Sequence, residues 1–329
     1  MFARAILLAA SLTWPAALRA QTPSLPLVLE TKIPLGEVSG RIDHLGIDLK
    51  RQRLFVAELG NNSLGAVDLM AGKTMRTIGG FSEPQGVAYV PFGDSVYVAN
   101  GGDGSVRVLR AEDLAPVGRI ELGNDADNVR IDTARNRVLV GYGKGALAVI
   151  DPASRSKTAE IPLKAHPEGF QIDEPGRQVF VNVPDARGIE VADLDSGSGR
   201  SLPTEGMRAN FPMALDREAR RVVVVFRSPP ALMGLSAQDG RVAAKIETCG
   251  DADDVFIDAK RHRVYVSCGE GVVDVLEQDQ AGYRRLARVP TVSGARTSLF
   301  ISELDRLYVA VRASSGERPA VWVFRPASS

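Results

Sequence analysis

"DADNVRID" occupies residues 125–132 and "DADDVFID" residues 251–258. Degraded copies of this octet run along the rest of the chain: "RIDHLGID" (41–48), "EPQGVAYV" (83–90), "HPEGFQID" (166–173), "ANFPMALD" (209–216) and "ARTSLFIS" (295–302). Their spacing is about 42 residues. A repeat of that length with strand content is the signature of a four-stranded propeller blade, a unit that buries its apolar faces only when stacked in a ring.

Each copy continues in one order. A second strand alternates Val, Tyr and Phe, as in "RLFVA" (53–57), "SVYVAN" (95–100) and "RVYVS" (263–267), which suits a pleated, half-buried strand. A Gly- or Asn-rich turn follows, such as "GGDGS" or "CGEG", then a third strand such as "VRVL", then a fourth ending in "RTI" or "GRIEL". No segment sustains a helical period. Seven copies predict an all-β chain, a seven-bladed β-propeller. The last copy stops after its third strand, "AVWVFRP" (320–326), while "LVLETKIPL" (27–35) matches the fourth strand "SKTAEIPL" (156–163). The N-terminal strand is therefore expected to be the outer strand of the last blade, closing the ring and covering a free sheet edge.

The segments "LFVAELGNNSLGAVDLMAGKTMRTI" (54–78) and "VYVANGGDGSVRVLRAEDLAPVGRI" (96–120) resemble the YVTN-type repeat of the exported bacterial propellers of the YncE-like group. The likeness covers the chain from residue 21 on, with the tetrad written here as "VYVAN" or "LFVAE". It implies fold and export. It implies no activity, because one fold carries many functions.

The ends and the composition bound the rest. "MFARAILLAASLTWPAALRAQTP" places Arg4 ahead of an apolar run, Ala5 to Trp14, too short to span a bilayer. Residues 1–20 read as a signal peptide and 21–329 as a single domain, exported to the periplasm or secreted. No later apolar stretch is long enough to cross a membrane. Lys plus Arg number 40 and Asp plus Glu 40, so net charge gives no footing for nucleic acid, and a monomer is expected. Cys249 and Cys268 are the only cysteines. In an oxidising compartment they form one bridge or remain two buried thiols, and the bridge is the expectation.

The two ends of the ring carry different chemistry. One bears the basic turns "LKRQR" (49–53), "ARNR" (134–137), "REARR" (217–221) and "AKRHR" (259–263). Asp48 and Arg53, Asp132 and Arg137, Asp216 and Arg221, and Asp258 and Arg263 recur at one spacing, as pairs across each hairpin mouth rather than an anion-binding surface. The other end gathers the loops before the inner strands: Asp43 and His44, Glu83 and Gln85, Asp127 and Asn128, His166 and Glu168, Asn210, Asp253 and Asp254, and Arg296. The loops after the second strands add Arg227 and Arg312. Polar groups converging on a rigid channel mouth are the default binding or active site.

Two functions fit this set. One is binding of a small polar molecule or a protein partner. The alternative is a metal-assisted lyase or hydrolase, lactonase-like, with His44, His166, Glu168 and Asp254 as candidate ligands of a divalent metal. In a variant of it, His44 or His166 is the general base and Arg296 steadies an anionic intermediate. The chain has no HExxH, no nucleophile elbow, no CxxCH and no EF-hand loop. The repeated "DAD" also has a plainer reading, in which Asp125 and Asp251 cap their own loops by accepting backbone N–H groups while Asp127 and Asp254 face the channel.

Overall fold

The computed structural model describes residues 25–280, 282–314 and 316–328. The expected signal peptide lies outside the described residues. Seven four-stranded antiparallel sheets are present, each with its strands in sequence order except the last. Their inner strands are Leu45–Asp48, Pro84–Val90, Ala126–Asp132, Phe170–Asp173, Arg208–Asp216, Ala252–Asp258 and Ser298–Ile301, which number blades 1 to 7. In blade 7 the outer strand is Leu27–Pro34, paired antiparallel with Ala320–Pro326. Ile33, Leu45, Leu54, Tyr308 and Val321 share one buried cluster, so blades 7 and 1 pack on each other. The only helical segments among the described residues are 3-10 turns of three residues, and none is long and apolar enough to cross a membrane.

Burial falls from the middle strands to the rim. Ser95–Asn100 and Arg263–Cys268 are buried at every residue, whereas Lys73–Gly79 and Ser156–Pro162 are mostly exposed. The second strands are thus buried on both faces rather than half-buried, because each sheet is covered by a neighbour on either side. Phe55, Leu64, Val96 and Leu109 show this between blades 1 and 2. Each such Val, Leu or Phe removed from water stabilises the ring by roughly 1.5–3 kcal/mol.

The basic turns strap blades together. Asp48, Asp132 and Asp258 lie opposite Arg53, Arg137 and Arg263 in the strand register, but only Asp132 and Arg137 form the expected ion pair, at 2.8 Å. Asp48 and Asp258 instead hold Arg51 and Arg261, at 2.8 and 2.9 Å. These arginines and Arg135 reach the next blade, to Asp94 at 2.7 Å, Asp305 at 2.7 Å and Asp195 at 2.8 Å. Arg53, Arg137 and Arg263 donate to the next blade's backbone, at Ala111 (2.7 Å), Leu194 (2.7 Å) and Ala327 (2.8 Å). Asp216 is held by Gln278 of blade 6. A guanidinium with five donors in a fixed fork can serve two carboxylates at once, and that capacity turns a hairpin motif into a seam. His262 is exposed and occupies the left-handed position closing its turn, φ 52°.

Candidate functional site at the channel mouth

The octet builds one pit. At its first position Glu83, Asp125, Ala209 and Asp251 all have positive φ, between 45° and 57°. Asp is among the few side chains that tolerate this left-handed backbone, which explains its repetition there. The loop-capping role expected of Asp125 and Asp251 is not what the structure shows. Asp251 receives Arg296 at 2.7 Å, and Asp125 receives Gln85 Nε2 at 3.5 Å. A β-bulge follows in blades 2, 3, 5 and 6, and a bulge re-aims side chains at a sheet rim.

The third octet position is the one that faces the axis. Asp43, Gln85, Asp127, Glu168, Phe211 and Asp253 come from blades 1 to 6 and line a pit of about 290 Å³. Blade 7 adds Arg296, and Arg41, His44, Asp125, His166 and Arg227 complete the wall. A narrower recess of about 20 Å³ continues below, past Asn128, Arg130 and Asp254. The fourth position is glycine in "EPQGV" and "HPEGF" because the next blade's backbone is there. A Cβ on Gly86 would stand 2.2 Å from Asp127 O, and one on Gly169 2.5 Å from Phe211 O.

The cations of the pit are committed to particular acids. Asp43, 2 % exposed, binds Arg41 Nη2 at 2.5 Å and His44 Nδ1 at 2.7 Å. Burial opposes ionisation of Asp43, but His44 and Arg41 hold its carboxyl well below the usual range. Burial also works against charge on His44, yet the contact with Asp43 and the fields of Asp254 and Asp127 raise it to about 10. Arg227 meets Asp253 at 2.5 Å and stacks 3.9 Å from the Phe211 ring. Arg296 bridges Asp251 and Asp253 at 2.7 and 2.8 Å. His166 Nδ1 sits 2.6 Å from Gly143 O.

Two carboxylates are left over. Among the described residues no hydrogen bond or ion pair reaches the side chains of Asp127 or Glu168, and Asp127 Oδ1 is a buried acceptor without a donor. Burial lifts Asp127 to about 6, with His44 opposing and Asp43 adding to the rise. Burial, then the charges of Asp127 and Asp253, push Glu168 up to about 8. Asp254 is raised to about 7 by burial, partly offset by His44 and by the Ser298 N–H that it accepts at 2.7 Å.

Several expected site residues stand elsewhere. Asn210 is fully buried and donates to Asn182 Oδ1 (2.9 Å) and Gly188 O (3.0 Å), bracing blade 5 on blade 4. Alignment of the octets explains this, since Asn210 is at the second position and Phe211 at the third. Glu83 is exposed and its backbone N–H bonds Asn62 Oδ1 at 2.8 Å. Arg312 is exposed and lies over Gly294, outside the pit. Asn128 and Asp254 lie in the recess rather than the pit. The contact with Asp43 and the fields of Asp254 and Asp127 favour the imidazolium form of His44, which works against the expected role of general base. No group of three or more His, Cys, Asp or Glu among the described residues is arranged to hold a metal ion. Sequence reasoning missed Arg41, read Asp125 as a loop cap, and placed Phe211 at the mouth beside Asn210 without making it a site residue, although their places in the octet were the available signal. Cys249 and Cys268 are bonded, and Cys268 pairs in register with Ala252 between Asp251 and Asp253, so the bridge fastens one wall of the pit.

Solved structures give the architecture independently. A chain of hydrazine synthase from Kuenenia stuttgartiensis superposes with TM-score 0.73 at 18% identity, covering 88% of this chain and 98% of that one. A chain of the mitotic checkpoint complex does so with TM-score 0.78 at 12% identity, over 97% and 98%. The RRP9 WD40 repeats match with TM-score 0.75 at 12% identity, over 89% and 98%. The chain is a seven-bladed β-propeller. At these identities the likeness concerns fold alone. No protein-family model and no curated protein matches the sequence.

Proposed function

We propose that this propeller is an exported binding protein of the YVTN type that takes a small polar ligand, or a projecting polar group of a protein partner, into the pit. The observation that carries the reading is that all seven blades send a side chain into one pit of about 290 Å³, most of them ionisable. A scaffold filling its mouth for stability alone would favour small, neutral, self-satisfied groups, since buried charge without a partner is costly. The buried disulfide suits an oxidising compartment. The metal-assisted alternative draws no support from the geometry, because its four candidate residues do not gather as a ligand set.

The test is a thermal-shift screen of small polar metabolites against the wild type and His44→Gln. Binding to the folded state raises Tm by mass action. Compounds whose shift differs between the wild type and the variant, in either direction, support the reading; equal shifts in both, or none across the library, contradict it. Export is checked by fractionation and N-terminal sequencing. A periplasmic or secreted product beginning near residue 21 is expected, and a cytoplasmic product retaining Met1 contradicts it.

A further inference from the structure

The pit does not treat charge evenly. Arg41 and His44 are spent on Asp43, and Arg227 and Arg296 on Asp251 and Asp253. On the adjoining wall, blades 3 and 4 present Asp127 and Glu168 with no donor at all. Asp127 is only 4 % exposed, so solvent reaches it chiefly from the pit. Just beneath, Asn128, 1 % exposed, holds a second acceptor oxygen without a donor.

We propose that the ligand is a small organic cation, a primary amine whose ammonium group seats between Asp127 and Glu168. This rests on the reading that the pit is the binding site. An ammonium supplies three donors and one positive charge, which answers two unpartnered carboxylates and the acceptor below them. A neutral polyol supplies donors but leaves the charge unanswered. An anion would have to displace an acid from a guanidinium already paired. Among the described residues no three His, Cys, Asp or Glu side chains are arranged to hold a divalent metal. The pit, about 290 Å³, is at the small end of ligand sites, which selects a compact molecule over a peptide segment.

The amine should also move a proton. Burial first, and then the negative charges of Asp127, Asp253 and Asp43, hold the proton on Glu168, and His44 opposes them. At neutral pH the Glu168 carboxyl is protonated in the free protein; an ammonium beside it drives that proton off, from Glu168 to buffer. Binding therefore releases up to about one proton per ligand, and affinity rises with pH until the amine itself deprotonates.

The experiment uses the mature protein, with ethanolamine, putrescine and phenethylamine as probes and glycolate, glycerol and calcium chloride as comparators. Thermal shift gives Tm, and isothermal titration in two buffers of different ionisation enthalpy gives proton release. The expected result is an amine-dependent rise in Tm with proton release, lost in Asp127→Asn and in Glu168→Gln separately. The proton count needs no variant, so a misfolded substitution leaves the test intact. If glycolate, glycerol or calcium binds in a His44-dependent way and the amines do not, the amine assignment falls and the pit remains the site. If amines bind both acid variants as well as wild type, their seat is elsewhere and the assignment falls. If no probe binds, the assignment falls, and the metabolite screen decides the pit.

Discussion

Glu168→Gln should stabilise the protein above neutral pH and leave it unchanged below pH 4.5. In the folded chain the Glu168 carboxyl is held near 8, against an ordinary 4.5. Between those values the folded state keeps a proton that the unfolded chain has released. Stability therefore falls as pH rises through that window, and below 4.5 both states are protonated and the effect vanishes. At about 1.4 kcal/mol per unit, the span sets a ceiling of roughly 5 kcal/mol. Screening by water at the open side of the pit brings the working figure to about 2 kcal/mol. For a chain of this length that is a rise in Tm of roughly 4 °C. Asp127 and Asp254, raised to about 6 and about 7, push the wild type in the same direction. The pit's contribution to wild-type stability should thus decline steadily from mild acid upward. The assay is urea or thermal unfolding of both proteins across pH 4 to 9 (the interval that brackets the shift). A difference independent of pH, or a variant less stable than wild type above pH 8, would refute the reasoning.

Three other outcomes follow from the packing. Gly169→Ala places a Cβ 2.5 Å from Phe211 O and should cost roughly 1–3 kcal/mol in urea unfolding; a neutral effect would mean the blades are farther apart than described. Arg261→Ala removes the tie between buried Asp258 and Asp305 of blade 7, a loss of about 3 kcal/mol, whereas a surface pair would cost under about 1 kcal/mol. Reducing the Cys249–Cys268 bridge, which closes a 19-residue separation, should lower stability by about 3 kcal/mol. Unfolding curves that coincide with and without dithiothreitol would contradict the placement of that bridge.

The ring was legible in the sequence because its unit is local. One octet, one turn and one valine-rich strand recur often enough for the period to survive substitution. The third octet position, from Asp43 to Asp253, was equally readable once the copies were aligned. Partnerships between blades were not. Arg227 and Asp253 belong to different repeats, and nothing in either repeat says that they meet. The same holds for Arg51, which bypasses the expected role of Arg53 and reaches Asp94. The backbone conformation that selects Asp125 and Asp251 was hidden too, since Asp serves both as a cap and in the left-handed region. Burial of Asn210 turned on register, where a shift of one residue exchanges the pit for the interior of a blade.

Hydrogen-exchange mass spectrometry with the first compound that raises Tm tests the central claim most directly. Protection should appear together in peptides spanning 41–46, 83–87, 125–129, 166–170, 209–213, 251–255 and 295–298, because one ligand touches one pit built by the whole ring. Turns 49–53, 133–137, 217–221 and 259–263 should stay unchanged. Protection confined to those turns, or to a single blade, would contradict it.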